Sequence, residues 1–422
     1  MKLFSFVHTG DLHLDSPFKG ISSVSNEISL RLREATFEAY DNIIDLCIDR
    51  GVDFLLIAGD VYDGAEKSLQ AQLRFRQGLL RLDEAGIQAY VAHGNHDPLD
   101  LWSASLIWPK NVRIFQGNKV ERIVYEKDKK AVAAVYGRSF ATREIRTNLA
   151  KKFPIAQKSD LKLYRIGVLH CNLGTTTGHE PYAPCSLPDL ARKNFCYWAL
   201  GHVHTRAVLN KDNTVVDYPG NPQGLNPNET GERGCYLVSV TADHQAQMEF
   251  VKTDSVRWFR EELAIDELSS LDDLITAIGS VINEVRLQTE GRPAILRLML
   301  TGRSSLHTEL VQKGVLDDIL QSVREPEEGE SQFVWLEEIK DRTRLSIDRN
   351  KLLEREDFVG DLIRLFEEFC QDKALRKDLK IDFEELFSSP GGRKWLNPYA
   401  DEEILELLHR AESVCLDRLL RE

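Results

Sequence analysis

Apolar residues in the first ninety positions follow two different periodicities. Short apolar runs at residues 3–7, 53–58 and 87–92 predict strands. Between them, residues 27–50 and 69–85 place apolar side chains near the spacing of an amphipathic helix. A regular alternation of strands and helices predicts parallel strands that the helices cover.

Residues 112–250 have a different pattern, because strand-like runs follow one another there without long helical stretches. Turn-rich loops separate these runs. We expect them to form a second, more antiparallel sheet. The runs are residues 122–125, 131–136, 165–169, 197–200, 215–218, 235–240 and 248–251.

After Thr253 the pattern starts again. Strands at residues 258–265, 294–300 and 333–339, with helices at 270–289 and 306–324, predict a compact α+β unit. Residues 351–374 predict an amphipathic helix whose apolar stripe holds Phe358, Leu362, Leu365 and Phe369, and a last helix begins at Asp401. We therefore expect three domains, at residues 1–253, 254–345 and 346–422.

Composition narrows the class of protein. With 42% hydrophobic residues, 26 Gly and 14 Pro among 422 residues, the chain is neither collagen-like nor disordered. Its seven cysteines are scattered without a C-x-x-C pair, which argues against both a disulfide framework and a zinc cluster. No run approaches the ~20 apolar residues of a membrane span. We expect a soluble, cytoplasmic protein with reduced thiols.

The net charge of −13 by itself argues against a nucleic-acid partner. Its distribution changes that conclusion. Residues 1–253 carry 30 basic and 29 acidic side chains, whereas the remainder carries 24 basic and 38 acidic ones. Within the first part, residues 110–165 hold 15 basic and 5 acidic side chains. The acidity belongs to the C-terminal part, and the basic stretch permits contact with phosphates.

Five short segments carry candidate metal ligands, and each follows a predicted strand: HTGDLH (8–13), GDVYD (59–63), GNHD (94–97), HCN (170–172) and GHVH (201–204). Sites in α/β sheets assemble where the loops at strand ends converge. Glycines beside the ligands allow the sharp turns that bring side chains together. The candidate ligands are Asp11, His13, Asp60, Asn95, His170, His202 and His204.

These ligand types indicate the kind of metal and its number. Imidazole with carboxylate and amide oxygen suits manganese, iron or zinc better than calcium or structural zinc. Two carboxylates, four histidines and one asparagine exceed the needs of one ion and fit two. A pair of divalent ions that share a bridging carboxylate is typical of phosphoester hydrolases.

The motifs D-x-H, G-D, G-N-H-D, a lone His after a strand, and G-H-x-H resemble, in that order, the calcineurin-like metallophosphoesterase superfamily over residues 1–250. The resemblance implies an α/β (α+β) fold, a β-sandwich flanked by helices. It also implies that Asp11, His13, Asp60 and His204 hold one metal and Asn95, His170 and His202 the second, with Asp60 bridging. His96 matches the family's catalytic histidine, and Asp97 is expected to orient it.

Finer features resemble the SbcD-like DNA repair exonucleases, most closely their YhaO-type bacterial members: HTGDLHLDSPF, GDVYD, HCNLG, GHEPYAPC, ALGHVH and YPGNPQG. The chain departs at Asp63, where many archaeal and eukaryotic relatives have a second catalytic histidine, so Asp63 is a candidate orienting residue. The resemblance implies a small α+β capping domain, C-terminal helices that dock on an SbcC-like coiled-coil ATPase, and a homodimer contact at Trp102 and Trp108. Packing of those helices on their own domain, and of those tryptophans in the core, are the alternatives.

The remaining histidines of the first part have weaker assignments. We expect His8 and His93 to be structural, and His179 is a candidate for lining the site. The leading hypothesis is a manganese-dependent DNA exonuclease or endonuclease, with iron or zinc as alternative metals. A phosphodiesterase or phosphatase for a small molecule or phosphoprotein, and a metal-free scaffold of the same fold, are the competing hypotheses.

Overall fold

A computed structural model describes residues 2–19, 26–64, 68–101, 104–156, 158–174, 181–211, 214–382 and 400–420. The chain forms two compact units, each assembled from separate stretches of sequence. The first comprises residues 1–261, 280–298 and 322–338, and the second residues 262–279, 299–321 and 339–422. The predicted division at residues 253 and 345 stays a prediction.

One six-stranded sheet contains the predicted parallel strands. Its members are β1 (Lys2–Thr9), β2 (Phe54–Ala58), β3 (Gln88–Ala92), β4 (Val112–Ile114), β11 (Gly234–Thr241) and β12 (Ala246–Lys252). Strands β1 to β4 lie side by side in sequence order and are parallel, and β11 and β12 extend the sheet antiparallel beyond β1. The sheet order is therefore β12-β11-β1-β2-β3-β4.

A second six-stranded sheet lies between these segments of the sequence. Its members are β5 (Glu121–Lys127), β6 (Lys130–Arg138), β7 (Tyr164–His170), β8 (Tyr197–Gly201), β9 (Ala207–Asn210) and β10 (Val215–Tyr218). The sheet order is β5-β6-β7-β8-β10-β9. Its interior pairs are parallel, and only the outermost pair at each edge is antiparallel.

The expectation of a more antiparallel second sheet is therefore wrong, and two of its runs, now β11 and β12, belong to the first sheet. The reason is the length of the connections. About 25 residues separate β6 from β7, and as many separate β7 from β8. Parallel neighbours need a crossover of roughly a dozen residues or more, and both connections provide it.

Alternating side chains bind the two sheets into a sandwich. On β2, Phe54 and Leu56 point into the layer between the sheets, where they meet Ile166 and Val168 of β7. The intervening Leu55 and Ile57 pack outward. Helices α1 (Asn26–Asp49) and α2 (Leu69–Glu84) cover that outer face. The predicted β-sandwich flanked by helices is confirmed.

The C-terminal third contains a three-stranded sheet of β13 (Arg257–Ala264), β14 (Ala294–Thr301) and β16 (Val334–Asp341), in that order. Short strands β15 (Arg303–Ser304) and β17 (Arg344–Leu345) pair separately. A short helix α3 (Leu187–Ala191) precedes β8. The later helices are α4 (Leu271–Gln288), α5 (His307–Leu310), α6 (Val315–Arg324), α7 (Arg349–Leu353), α8 (Phe358–Gln371), α9 (Lys373–Asp382) and α10 (Asp401–Leu419).

Two helices predicted as continuous are interrupted. The helix predicted at residues 306–324 divides into α5 and α6 around Gly314, whose φ of 93° is incompatible with a helix. The helix predicted at residues 351–374 divides into α7, α8 and the start of α9. Asp357 caps α8, because its side chain accepts hydrogen bonds from two backbone N–H groups of the first turn.

The buried face of α8 differs from the predicted stripe. Val359 and Ile363 are buried against Leu416 of α10. Phe358 and Leu365, which the sequence pattern places on the apolar stripe, are 66% and 49% exposed. The helices pack on each other within the second unit and leave these two apolar side chains of α8 exposed among the described residues.

Residues 104–108, which include Trp108, are not helical. Trp108 packs edge-on against Phe75, with ring centroids 5.9 Å apart, and borders the core. Trp102 lies outside the described residues. Among the described helices, none is long and apolar enough to cross a membrane.

Candidate metal centre

The predicted ligands meet at one edge of the sandwich because the strands that carry them all end there. Asp11 and His13 follow β1, Asp60 follows β2, and Asn95 follows β3. In the second sheet, His170 is the last residue of β7 and His202 comes directly after β8. Both sets of strands run parallel, so their carboxyl ends converge as predicted from the sequence.

One group of donor atoms consists of Asp11, His13 and His204, whose ligand atoms lie within 4.8 Å of one another. The Nε2 atoms of His13 and His204 are only 3.2 Å apart. Asp11 and His13 are buried, and the side chain of His204 is 25% exposed. This is the set expected to hold the first metal.

A second group consists of Asp11, Asp60 and His170, again within 4.8 Å. His170 Nε2 lies 3.3 Å from Asp60 Oδ2 and 2.9 Å from Asn95 Oδ1. Asp60 Oδ2 is also 3.9 Å from His13 Nε2, so its carboxylate stands between the two groups. That is the position expected of a bridging ligand.

His202 joins the cluster in a different way. Its backbone N–H donates to both carboxylate oxygens of Asp11, at 2.9 and 3.1 Å. Its ring lies edge-on against the ring of His170, with centroids 5.2 Å apart. The structure thus brings all seven predicted ligands together, and their assignment to individual metals stays a prediction.

Four of these residues adopt a backbone conformation that ordinary side chains rarely take. The φ angles of Asp11, His13, Asp60 and His202 are 51°, 44°, 50° and 105°. Positive φ costs energy in any residue other than glycine, and such residues cluster at functional sites. The tight turns after β1, β2 and β8 are held in part by backbone hydrogen bonds such as Asp11 N–H to Gly59 O at 2.9 Å.

Two glycines are required by close approach to the ligands. A Cβ at Gly94 would lie 2.2 Å from Asp60 Oδ1, and one at Gly59 would lie 2.3 Å from His170 Nδ1. Gly59 also has a φ of 101°. The glycines of the G-D and G-N-H-D motifs therefore provide the space in which Asp60 and His170 meet.

The site is electrostatically tuned by burial and by its own charges. Burial raises the pKa of Asp11 to about 6, although His170 and His204 oppose this. Burial, reinforced by His204, lowers the pKa of His13 to about 4. Burial also disfavours a charged His170, but the charge and hydrogen bond of Asp60 outweigh it and raise the pKa of His170 to about 9. The same contact overcomes the effect of burial and holds the pKa of Asp60 well below its usual range.

His96 lies beside the cluster and is the most exposed of its histidines, with 33% of its side chain accessible. Its backbone N–H donates to Asp60 Oδ1 at 2.9 Å. Its Nδ1 lies 3.1 Å from Asp63 Oδ1. Burial lowers the pKa of His96, but the hydrogen bond to Asp63 and the charge of Asp60 outweigh it, so that the net shift is upward.

The carboxylate of Asp97 contacts the loops after β2 and β3 rather than the His96 side chain. It accepts hydrogen bonds from Val61 N–H at 2.9 Å and Gly94 N–H at 2.7 Å, and it lies 2.9 Å from His93 Nδ1. The expectation that Asp97 orients His96 is wrong. The carboxylate of Asp97 is occupied by these contacts, and Asp63, from the loop after β2, is the residue within hydrogen-bond distance of His96 Nδ1.

Glu229 is a residue of the site that the sequence did not reveal. Its Oε1 lies 2.8 Å from His204 Nδ1, and its Oε2 accepts hydrogen bonds from Asn221 and from Leu225 N–H. Burial would raise the pKa of Glu229, but His204 and these donors lower it to about 2. Glu229 lies in a loop without a strand or a spaced partner, so no sequence signal identified it.

The other histidines follow their expectations where the structure describes them. His8 is buried below the site, 3.1 Å from the hydroxyl of Tyr197 and 3.3 Å from Asp217. His93 is held by Asp97. Both are structural. His179 lies outside the described residues.

The donor set fits two divalent ions. Buried carboxylates share one site with imidazoles whose lone pairs converge, and the two Nε2 atoms of His13 and His204 lie in a contact that a shared cation would stabilise. No cysteine is in these groups, which disfavours the thiolate-rich sites of structural zinc. Asp11, His13 and His204 would hold one ion, Asn95, His170 and His202 the other, and Asp60 both.

Comparison with known proteins assigns a family to the part of the chain that contains the seven candidate ligands. Residues 4–206 match the family described as calcineurin-like phosphoesterase, and residues 258–344 match the middle domain of metallophosphoesterase YhaO. The chain is 35% identical over 417 residues to the protein named uncharacterized metallophosphoesterase YhaO of Bacillus subtilis (strain 168), and the alignment covers 99% of this chain and 98% of that protein.

More distant similarity extends to archaeal proteins named DNA double-strand break repair protein Mre11. The protein from Sulfurisphaera tokodaii is 27% identical over 58% of this chain and 61% of its own length. That from Methanococcus maripaludis is 26% identical over 56% of this chain and 63% of its own length. The chain thus aligns with less than two thirds of each of these two proteins.

Proposed function

Because this chain belongs to the calcineurin-like metallophosphoesterase family, and is therefore a hydrolase of phosphoesters, we propose that it is a two-metal nuclease that cleaves the phosphodiester bonds of DNA. The observation that carries the proposal is the position of Asp60 between two groups of buried ligands, with His96 exposed beside them. Such a pair of ion sites is suited to phosphoryl transfer to water.

When bound, two divalent ions supply Lewis-acid activation of water and neutralise charge on the phosphoryl oxygens. The chain's own residues arrange this site. Asp60 and Asp11 contribute the negative charge that attracts the ions, and the strand ends fix the spacing of the ligands. Glu229 holds Nδ1 of His204, which leaves Nε2 directed toward the cluster.

His96 is the proposed general acid. Its Nδ1 is engaged by Asp63, so the Nε2 atom is the one available to the substrate. A proton donated from this nitrogen to the departing alcohol oxygen would relieve the charge that develops when the ester bond breaks. Asp63 positions the ring of His96. Many relatives carry a second histidine at the sequence position that Asp63 occupies here.

Two observations support DNA as the substrate. Proteins named for double-strand break repair are similar to this chain over 257 and 258 residues. In addition, exposed basic residues follow β6 where this strand ends beside the metal centre: Phe140 N–H donates to His93 O at 3.0 Å, and its ring contacts that of His170. The basic side chains that directly follow it are Arg143 and Arg146, on either side of Ile145, whose carbonyl accepts a hydrogen bond from Ala183 N–H.

Manganese is the proposed metal, because mixed oxygen and nitrogen ligands suit it, although iron and zinc share this preference. The proposed partner besides DNA is an SbcC-like coiled-coil ATPase, which makes the protein an SbcD-like subunit in DNA repair. The uncovered Phe358 and Leu365 of α8 support a docking role for residues 346–422. A capping role for residues 254–345 and a homodimer stay predictions.

The substrate assay compares linear double-stranded DNA, a small phosphodiester and a small phosphomonoester, each with manganese or with chelator. We expect DNA to be degraded only with the metal, and His96→Ala to remove most of this activity. His409→Ala, a histidine on α10 outside the site, is the control. A protein that hydrolyses the phosphomonoester much faster and leaves DNA intact would instead be a small-molecule or phosphoprotein phosphatase.

A further inference from the structure

A cavity of about 590 Å³ lies within the second unit, in a part of the chain that contributes no ligand to the metal centre. The loop between β16 and α7 forms one side, and the last turns of α10 form the other. The lining residues are His307, Asp341, Arg342, Thr343, Arg344, Leu345, Ile347, Val414, Asp417, Arg418 and Leu420.

Arginines are concentrated at this cavity although the C-terminal part of the chain is strongly acidic. Arg344 lines it, and Arg303 stands behind it; both pair with Asp417, at 2.6 Å, and both donate to Ser413 Oγ, at 2.8 Å. One carboxylate therefore fixes two guanidinium groups. The shared carboxylate holds both arginines in position, and because it carries one charge against two, one positive charge is not neutralised by Asp417.

Two further arginines on the lining are not neutralised. Arg342 and Arg418 are exposed, and neither forms an ion pair or a side-chain hydrogen bond among the described residues. Asp341, the other acidic residue of the lining, is engaged by the hydroxyl and the backbone N–H of Thr343. Guanidinium groups without a carboxylate partner are the preferred ligands of phosphate oxygens.

His307 also lines the cavity, and a hydrogen bond to Thr343 orients its ring. Thr343 donates its hydroxyl proton to Asp341 at 2.6 Å, so its oxygen accepts from Nδ1 of His307 at 2.9 Å. When His307 is neutral, its proton is therefore on Nδ1, and Nε2 carries no proton. The lining thus combines arginines with a hydroxyl and an imidazole; Thr343 holds His307, and Asp417 holds Arg344.

The lining also includes four aliphatic side chains: Leu345, Ile347, Val414 and Leu420. Leu345 and Val414 are 44% and 43% exposed. A cavity of this size falls in the range of small-molecule sites, which is roughly 300–1,000 Å³, and exceeds what an inorganic ion needs. Aliphatic side chains that alternate with arginines along the lining fit a phosphate ester that carries an organic group.

We propose that this cavity binds the phosphate group of a nucleotide-sized phosphate ester at a site separate from the metal centre, with Arg342 and Arg418 as the principal ligands. The inference rests on the geometry of the second unit and does not depend on the proposed nuclease activity. The phosphate belongs either to a free mononucleotide or to the phosphorylated end of a DNA strand, which present the same chemistry.

The experiment is calorimetric titration of the full-length protein in a buffer with chelator, which prevents metal-dependent phosphate binding. The probes are inorganic phosphate, deoxyadenosine 5′-monophosphate and a short single strand with a 5′-phosphate. We expect the mononucleotide or the strand to bind more tightly than inorganic phosphate. Comparison of these two probes assigns the source of the phosphate.

The variant Arg342→Gln/Arg418→Gln should weaken this binding by at least about tenfold, as expected when charge-assisted hydrogen bonds are removed. Arg410→Gln is the matched control, because Arg410 lies on the same helix, is exposed and does not line the cavity. Circular dichroism and the metal-dependent hydrolysis of a small phosphodiester should be unchanged in both variants. Absence of binding to wild-type protein, equal binding by the double variant, or an equal loss in the control would overturn the proposal.

Discussion

At the scale of single residues, the contact between His96 and Asp63 distinguishes this site from that of relatives with a second histidine in place of Asp63. The 3.1 Å contact orients the imidazole and places a negative charge behind it. Replacement by asparagine keeps an oxygen of the same size but removes the charge. The carboxylate also has its pKa lowered to about 2 by the hydrogen bond to His96, so it is ionised at every pH at which the enzyme would work.

We therefore expect Asp63→Asn to lower kcat by about 10- to 100-fold with little change in KM, as part of the roughly 100- to 10,000-fold contribution of general acid catalysis. Steady-state kinetics on a phosphodiester measure this. Asp100→Asn, at an exposed carboxylate of the following loop, should leave kcat unchanged. A wild-type kcat in Asp63→Asn would show that this carboxylate does not position His96.

Glu229 gives a second prediction at this scale. Its hydrogen bond to His204 Nδ1 fixes the tautomer in which Nε2 carries the lone pair that a metal would bind. Loss of such a partner weakens metal binding by roughly 10- to 100-fold. We expect this loss in Glu229→Gln, measured by calorimetric titration with manganese.

Glu232→Gln is the control for that titration, because Glu232 is a nearby glutamate that pairs with Lys252 rather than with the site. Equal manganese affinity in Glu229→Gln and Glu232→Gln would contradict the positioning role. Because the readout is metal affinity, it does not depend on which substrate the enzyme prefers.

Residue types were predictable from the sequence, but residue conformations were not. The seven candidate ligands that the structure brings together, and His96 beside them, could be named from motif and order, since the chemistry of a metal centre restricts its side chains. The positive φ of Asp11, His13, Asp60 and His202 could not, because positive φ is uncommon even in Asp and His, which adopt it more often than most residues. Contacts between distant loops impose it, and the same long-range contacts place Asp63 at His96.

At the scale of elements, strand positions were predictable and strand partners were not. The alternation of Phe54 and Leu56 with Leu55 and Ile57 indicates a strand with two buried faces. It does not indicate that β11 pairs with β1 rather than with β10. Such a choice depends on packing between residues that are about 230 positions apart, and local periodicity contains no information about it.

The loop after β3 offers a test of packing at this scale. Gly94 has no room for a methyl group, because its Cβ would meet Asp60 Oδ1 at 2.2 Å and the His170 ring at 2.8 Å. We expect Gly94→Ala to displace these ligands and to abolish metal binding and hydrolysis. Manganese titration and a phosphodiester assay measure the effect.

Gly279→Ala provides the matched control, since a Cβ there meets nothing within 4 Å and Gly279 lies within α4. In a helix this change should be neutral or stabilise the fold by about 0.5–1 kcal/mol. Normal metal binding by Gly94→Ala would mean that the loop relaxes away from Asp60, contrary to the close packing described above.

A buried ion pair links β5 to the chain before β7. Asp160 is fully buried and accepts two hydrogen bonds from the Arg122 guanidinium, at 2.5 and 2.9 Å, and one from Tyr136. Arg122 lowers the pKa of Asp160 to about 2. The folded-state pKa lies below the ordinary value of 3.8, so the charged carboxylate stabilises the fold above that value and loses this effect as the pH falls toward 2.

We expect Asp160→Asn to lower the free energy of unfolding at neutral pH by about 1.5–3 kcal/mol, the usual contribution of hydrogen bonds to a charged group, because the Arg122 side chain is 35% exposed and stays partly hydrated. Denaturant unfolding at several pH values measures it. The difference from wild type should shrink as the pH is lowered from about 5 toward 2. A difference that is independent of pH would show that the charge of Asp160 does not stabilise the fold.

At the scale of the whole molecule, the fold separates the basic residues that the sequence groups together. The basic stretch of residues 110–165 is divided between two ends of the second sheet. The β5–β6 hairpin, with Lys129 and Lys130, lies at the end where β6 begins. The metal centre lies at the other end, about 26 Å away along β6 at roughly 3.3 Å per residue.

This separation predicts which basic residues bind DNA. Replacement of Arg143 and Arg146 by glutamine should weaken DNA binding and reduce the slope of its salt dependence by about 0.9 for each phosphate that the variant no longer neutralises. Lys129→Gln/Lys130→Gln, on the far hairpin, should have a much smaller effect. Fluorescence anisotropy at several salt concentrations distinguishes the two sets, and equal effects would refute the placement.

The central claim is that Asp60 bridges two ions in one buried site. The most direct measurement is the manganese stoichiometry of the metal-free chain, determined by equilibrium titration for wild type and for Asp60→Asn. We predict two tightly bound ions per chain in wild type and the loss of both tight sites in the variant. A single ion in wild type, or two unaffected ions in Asp60→Asn, would contradict the claim.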